Sequence, residues 1–295
     1  MSYGSIMSQT PSTLFSLATL HITGPTTGST VTASSTGGGT QTAKEISSGV
    51  WEIEVDKGNW VVKCDGYEDG TVSASSVKVY DVVLSIAVSS VLNNNSWETI
   101  SMISQQGKAT QYWSVGDAKY EYFTDNKPTD FVIVDFNKDL TPSITFSVGK
   151  HLDYTYALHK WGSQYIFFQS SIYNYLVHSV LPDMPFKDYA REVVKRAKNK
   201  SKGTEVERVK IFLFGEYEVF GRIINAQVKD GEYYAWYKAG NRSKYYYMQS
   251  GTISSSYPWW LRSCAEFAEP LCVKQDESKD WNYNTELLCA FGFVI

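Results

Sequence analysis

Between residues 18 and 88 apolar and polar residues alternate in short runs, among them Thr19 to Ile22, Val50 to Val55 and Trp60 to Cys64, broken by turn-rich stretches such as Thr36 to Thr40. Alternation with period two sends successive side chains to opposite faces of a strand, so the pattern predicts a small β-sandwich. The polar run Asn93-Asn94-Asn95 ends it, which sets an expected division into a sandwich over 1–91 and a second domain over 92–295. In the second domain Ser96 is placed to cap a helix carrying Trp97, Ile100 and Ile103, with Gly107 at its end. Strands are expected at Phe131 to Phe136 and Ser143 to Val148, and a second helix between Tyr165 and Leu181 through Ile166, Phe167, Ile172, Leu176 and Val180. The clearest helical stripe is Phe186, Tyr189, Ala190, Val193 and Ala197, which predicts a helix from Pro185 to Lys198 capped by Asp183. From Val209 onward the pattern turns to strands and long loops, and helices set between two groups of strands predict an α+β class.

The 295 residues, 43% of them hydrophobic, suffice for two cores. A net charge of -4 gives no general pull toward nucleic acid, so no nucleic-acid partner is expected. The first twenty residues are interrupted by Ser, Thr, Gln and Pro, and no apolar run reaches the ~18 residues of a membrane span. Neither a signal peptide nor membrane insertion is therefore expected. Cys64, Cys264, Cys272 and Cys289 lack zinc-site spacing and predict reduced thiols. Aromatic residues make up 15%, an excess suited to recognition surfaces because such side chains bring large contact area at low entropic cost.

Two resemblances sharpen this picture. The run Gly49-Val50-Trp51 with Gly58-Asn59-Trp60-Val61-Val62 resembles the immunoglobulin-like and prealbumin-like modules that bacteria and phages use as spacers. Four pieces resemble, in order, a domain widespread in gut bacteria and their phages. They are Ser96-Trp97-Glu98-Thr99-Ile100 with Gly107-Lys108-Ala109 and Tyr112-Trp113-Ser114-Val115-Gly116-Asp117, then Phe212-Leu213-Phe214-Gly215-Glu216-Tyr217-Glu218-Val219-Phe220-Gly221, Trp259-Trp260-Leu261-Arg262-Ser263 and Ala290-Phe291-Gly292-Phe293-Val294-Ile295. That domain is similar to the C-type lectin fold as used by sulfatase-modifying enzymes and by the variable proteins of diversity-generating retroelements. The resemblance implies a C-type-lectin-like domain whose ligand face lies between the Trp-Leu-Arg-Ser motif and the final Gly-Phe strand, and a trimer is the assembly of the fibre-tip relatives. The tract departs from an actively diversified one: adenine mutagenesis of AAC codons cannot yield Glu266, Glu269, Lys274, Gln275, Glu277 or Lys279.

The candidate ligand-binding residues are Tyr246, Tyr257, Glu266, Phe267, Glu269, Leu271, Lys274, Asp276, Lys279, Trp281 and Tyr283. Their tract is acidic, with a net charge of -4 over Cys264 to Leu287, which disfavours anionic partners at that face. Glu269-Pro270 followed by Trp281-Asn282 is similar to the calcium and sugar site of true C-type lectins, but Leu271 and Tyr283 replace oxygen donors that a hard cation needs, so no metal is expected. Glu216 and Glu218, two apart on an expected strand, share a face and read as part of the fold rather than as a glycosidase pair. The segment from Lys187 to Lys210 has a net charge of +5 and reads as the solvated end of the expected helix. His21, His151, His159 and His178 are scattered, and no nucleophile, base or metal constellation assembles.

These readings converge on a non-enzymatic, cofactor-free binding protein carried on a phage particle. Its expected partners are a host surface protein or glycan, other virion proteins and further copies of itself. A structural or decoration role in the particle, or a bacterial surface-binding protein, is the alternative.

Overall fold

The structure is a computed structural model, and it describes residues 17–25, 27–122, 128–149, 151–152, 155–157, 167–199, 203–226, 229–242, 245–246, 258–264, 270–274, 277–280 and 286–295. The chain forms two compact units, Met1–Val88 and Ser89–Ile295. No helix among the described residues is long and apolar enough to cross a membrane.

The first unit is built from β1 (Ala18–Thr23), β2 (Val31–Ser35), β3 (Thr40–Thr42), β4 (Lys44–Ser47), β5 (Val50–Val55), β6 (Gly58–Cys64), β7 (Gly70–Ala74) and β8 (Val79–Val83). These make two four-stranded sheets, ordered β4-β5-β1-β8 and β3-β2-β6-β7. The alternation read from the sequence is the reason they share one core. Leu20, Ile22, Trp51 and Ile53 from the first sheet pack with Val31, Ala33, Trp60 and Val62 from the second, while their neighbours in sequence face outward.

The second unit opens with α1 (Trp97–Gln105). Ser96 caps it as the sequence predicts, its hydroxyl accepting from the Thr99 N–H at 3.0 Å, and Gly107 follows the helix at φ 70°, a conformation that glycine adopts without steric penalty. Next come β9 (Ala118–Tyr122), β10 (Pro128–Phe136), β11 (Ile144–Val148), β12 (His151–Leu152) and β13 (Thr155–Ala157). A helical stretch over 167–183 contains α2 (Ser171–Tyr175), and matches the second helix expected there.

The expected helix over Pro185 to Lys198 is not formed. Turns occupy 185–189, and the chain then runs as β14 (Val193–Asn199), paired antiparallel with β15 (Gly203–Val209). Val193, Lys195 and Ala197 are the buried positions of β14, so burial follows a period of two rather than the helical stripe. The basic segment is thus a hairpin and not a helix terminus. After β16 (Ile211–Leu213), Glu216 and Glu218 lie on the short helix α3 (Glu216–Phe220) rather than on a strand. Then follow α4 (Ala235–Lys238), β17 (Tyr245–Tyr246), β18 (Trp259–Cys264), β19 (Pro270–Lys274), β20 (Glu277–Asp280), β21 (Glu286–Leu288) and β22 (Phe291–Val294).

Two five-stranded sheets organise this unit, ordered β16-β22-β11-β10-β9 and β13-β21-β18-β19-β20. Several sheets with few, short helices make the chain β-rich, compatible with the α+β class. The C-terminal strand β22 sits inside the first sheet, and the Ser104 hydroxyl of α1 donates to the Ile295 carbonyl at 2.6 Å. Trp97 packs edge-on against Phe131, Phe146, Phe186 and Phe293, and Phe186 stacks on Phe293 with centroids 3.5 Å apart. This aromatic cluster ties helix, sheet and chain end into one core.

Candidate functional site

The Trp-Leu-Arg-Ser motif lies on β18 with Trp259, Trp260, Leu261, Arg262 and Ser263 all buried. A strand buried on both faces must satisfy any charge it carries from within the protein. Arg262 does so through four groups: Nε donates to the Arg196 carbonyl at 2.8 Å, Nη1 to the Leu213 carbonyl at 2.5 Å and to Glu218 Oε2 at 2.8 Å, and Nη2 to the Asp230 carbonyl at 2.5 Å. One side chain therefore fixes β14, β16, α3 and the loop before α4.

Lys195, on the inward face of β14, is the second buried cation. Its Nζ lies 2.6 Å from Asp139 Oδ1, 3.0 Å from Glu218 Oε1 and 2.7 Å from the Tyr234 hydroxyl, and it stands over the Phe212 ring. The Tyr234 hydroxyl donates in turn to Asp139 Oδ2 at 2.7 Å, and the Thr145 hydroxyl donates to the same oxygen at 3.0 Å. Glu218 completes the cluster by accepting the Gly215 N–H at 2.8 Å on Oε2. An acidic residue in the first turn of a helix is favoured by the exposed N–H groups there.

The ionisation of these groups follows from their neighbours. Burial alone would raise the Asp139 carboxyl, but Lys195 beside it, with hydrogen bonds from Lys195, Tyr234 and Thr145, holds it below the ordinary aspartate value. Asp230 is raised: burial disfavours its charge and Glu218 adds to that, against the opposing pull of Arg262 and of hydrogen bonds from Ser263 and the Tyr217 N–H. Burial, then Glu218 and Asp139, push the Tyr234 hydroxyl far above the tyrosine range.

Glu216, also buried, holds the loop that follows α3. Its carboxylate accepts the backbone N–H groups of Ile224, Asn225 and Ala226 at 2.8, 3.0 and 2.9 Å, and it is hydrogen-bonded to the Ser278 hydroxyl on β20. Asn225 Nδ2 donates to the Ser278 carbonyl at 2.8 Å. Both glutamates are therefore parts of the fold, as expected of them, but they act at a helix start and face different partners.

Residues 154–288 match the family model described as Domain of unknown function (DUF6273). No curated protein and no solved structure matches the chain. The matched span begins just before β13 and ends with β21, so it takes in Lys195, Glu216, Glu218, Asp230 and Arg262. Asp139, which neutralises Lys195 from the loop between β10 and β11, lies outside it.

Of the sequence-predicted ligand residues, Leu271 lies on β19 and is wholly buried, and Lys274 ends the same strand half-exposed. Lys279 stands on β20 opposite Cys272, and Tyr246 on β17 opposite Leu152. Tyr257, Glu266, Phe267, Glu269, Asp276, Trp281 and Tyr283 lie outside the described residues. Among the aromatic residues around α4, Tyr234 and Tyr237 belong to the core, Tyr237 bonded to the Ser147 hydroxyl at 3.0 Å, whereas Tyr233 and Trp236 are half-buried.

Pattern reading missed a cleft of about 340 Å3 above the ion cluster. Asp139, Glu218 and Asp230 form its inner wall, and Lys138, Arg196, Lys229 and Glu232 its rim. No local signal marked it, because its lining comes from segments far apart in sequence and Lys195 with Arg196 reads equally as the polar side of the expected helix.

Proposed function

We propose that this protein is a virion-associated receptor-binding protein of a phage, in which an immunoglobulin-like first unit serves as spacer. A C-type-lectin-like second unit then contacts a host surface ligand through the tract from Cys264 to Glu286. The observation that carries this reading is the contrast between frame and connection. Leu271, Cys272, Val273, Leu287 and Leu288 on β19 and β21 are wholly buried, while six of the eleven candidate ligand residues fall in the sequence between β18, β19, β20 and β21. Connections held at both ends by a rigid frame can change side chains without loss of the fold, which suits recognition.

Binding rather than catalysis is favoured because the carboxylates best placed to act as acid and base are committed within the protein. Both oxygens of Asp139 and both of Glu218 already accept hydrogen bonds from neighbouring residues. The test is saturable binding of the labelled full chain to a panel of gut bacterial cells and immobilised glycans. Binding to a subset of strains is the expected result. Binding to none, together with copurification at fixed stoichiometry in particles, would replace this reading with a structural role in the virion.

A further inference from the structure

The cleft above the ion cluster lies apart in sequence from the tract Cys264 to Glu286, and its charges are unevenly compensated. Its inner wall is close to neutral. Lys195 and Arg262 offset Asp139 and Glu218 at ion-pair distance, and the Asp230 carboxylate is bonded to the Ser263 hydroxyl and accepts the Tyr217 N–H at 3.3 Å. The rim is different. Lys229 is paired with Glu232 at 2.7 Å and lowers its carboxyl, with Lys138 adding to that from beyond ion-pair distance, while the Lys138 ammonium and the Arg196 guanidinium, both exposed, make no hydrogen bond or ion pair among the described residues.

Arg196 is held in place. Its backbone is locked into β14 opposite Val206, and its carbonyl accepts Arg262 Nε at 2.8 Å, so the guanidinium projects from a fixed point of the frame. Val194, two residues earlier and thus on the same outward face, lines the cleft beside it with more than half its surface exposed. A planar guanidinium and an ammonium converging on one opening suit a carboxylate, which accepts two parallel N–H bonds from arginine. A dianion fits less well, because Lys138 already acts on Glu232, which leaves Arg196 as the rim cation with no carboxylate to offset it among the described residues.

We infer that this cleft is a second binding site, for a compact organic monoanion of about monosaccharide size, whose carboxylate is held by Arg196 and Lys138. The volume of about 340 Å3 falls at the small end of the range of ligand pockets. The inference does not depend on the tract from Cys264 to Glu286.

The experiment is calorimetric titration of the full chain with glucuronate, with glucose and glucose 6-phosphate as comparisons. The expected result is saturable glucuronate binding that weakens with added salt, falls about tenfold or more in Arg196→Gln and in Lys138→Gln, and is at least about tenfold tighter than for glucose. Both positions are exposed, so the variants should unfold at the native temperature. A variant carrying Tyr246→Ala, Glu269→Ala and Trp281→Ala should bind glucuronate as the native chain does, which separates this site from the proposed receptor face. Absence of saturable binding, tighter binding of glucose 6-phosphate, or affinity unchanged in both rim variants would overturn the assignment.

Discussion

Arg262 Nη1 lies 2.8 Å from Glu218 Oε2, and neither side chain reaches solvent. The pair joins the middle of β18 to the first turn of α3. Removing one partner of such a pair leaves an uncompensated buried charge, at a cost of about 3–5 kcal/mol. Glu218→Ala is expected to destabilise the unit Ser89–Ile295 by about that amount, and Glu218→Gln by less, because the amide keeps the shape and can still bond Arg262. Denaturant unfolding checks both, and a loss under about 1 kcal/mol for Glu218→Ala would count against the pair as the lock.

The two aspartates beside this pair predict opposite pH dependence. Asp139 is lowered in the folded state, so it contributes stability above the range where an unfolded aspartate titrates, lost as pH falls through its folded value. Asp230 is raised, so its contribution is complete below that range and is lost as pH rises through its folded value. In unfolding series from about pH 3 to 8, Asp139→Asn should flatten the acid-side decline and Asp230→Asn the fall on the rising side. Identical slopes in native and variant chains would contradict the assignment.

Close packing around the same cluster leaves no room for a methyl group at two glycines. A Cβ on Gly215 would meet the Asp230 carboxylate, and one on Gly231 the Glu218 carboxylate. Gly215→Ala and Gly231→Ala should each cost about 1–3 kcal/mol in unfolding free energy, the usual range for overpacking. Gly28→Ala in the first unit, where a Cβ meets nothing within 4 Å, tests the contrast between backbone strain and crowding. At φ 83° it carries the strain alone and should lose less.

The first unit has its own core, with Trp51 1% exposed among residues of both its sheets. Trp51→Ala should lower the stability of this unit by about 3–5 kcal/mol, the usual cost of deleting a large buried aromatic side chain. The transition of the second unit should be unchanged. Two calorimetric transitions, one shifted, are the expected trace.

The strands of the first unit were legible because alternation and burial coincide there: every second residue from Ala18 to Ile22 and from Trp51 to Val55 is buried. The helix α1 was legible because its cap and its apolar face are local in sequence. The β14–β15 hairpin was not. Val193 and Ala197 fit a helical stripe and a strand face equally well, and the residue that decides between them, Lys195, is polar and buried at 2% exposure. Its partners Asp139, Glu218 and Tyr234 are 23 to 56 residues away, beyond any window of periodicity. The same limit hid the cleft, whose walls come from segments around 138, 196, 218 and 230. The start of α3 could have been read from Gly215 followed by Glu216 and Glu218, acids in a first helical turn, which the period-two spacing masked.

The central claim is that recognition resides in the tract from Cys264 to Glu286 and the aromatic residues before it. Its most direct test is the equilibrium affinity of the native chain for a bacterial strain that binds it, set against the variant with Tyr246→Ala, Glu269→Ala and Trp281→Ala. A loss of about 100-fold or more, with the unfolding transitions of both units retained, is the result predicted for residues at the centre of an interface. Equal affinity of the two proteins would contradict the claim and place recognition elsewhere on the chain.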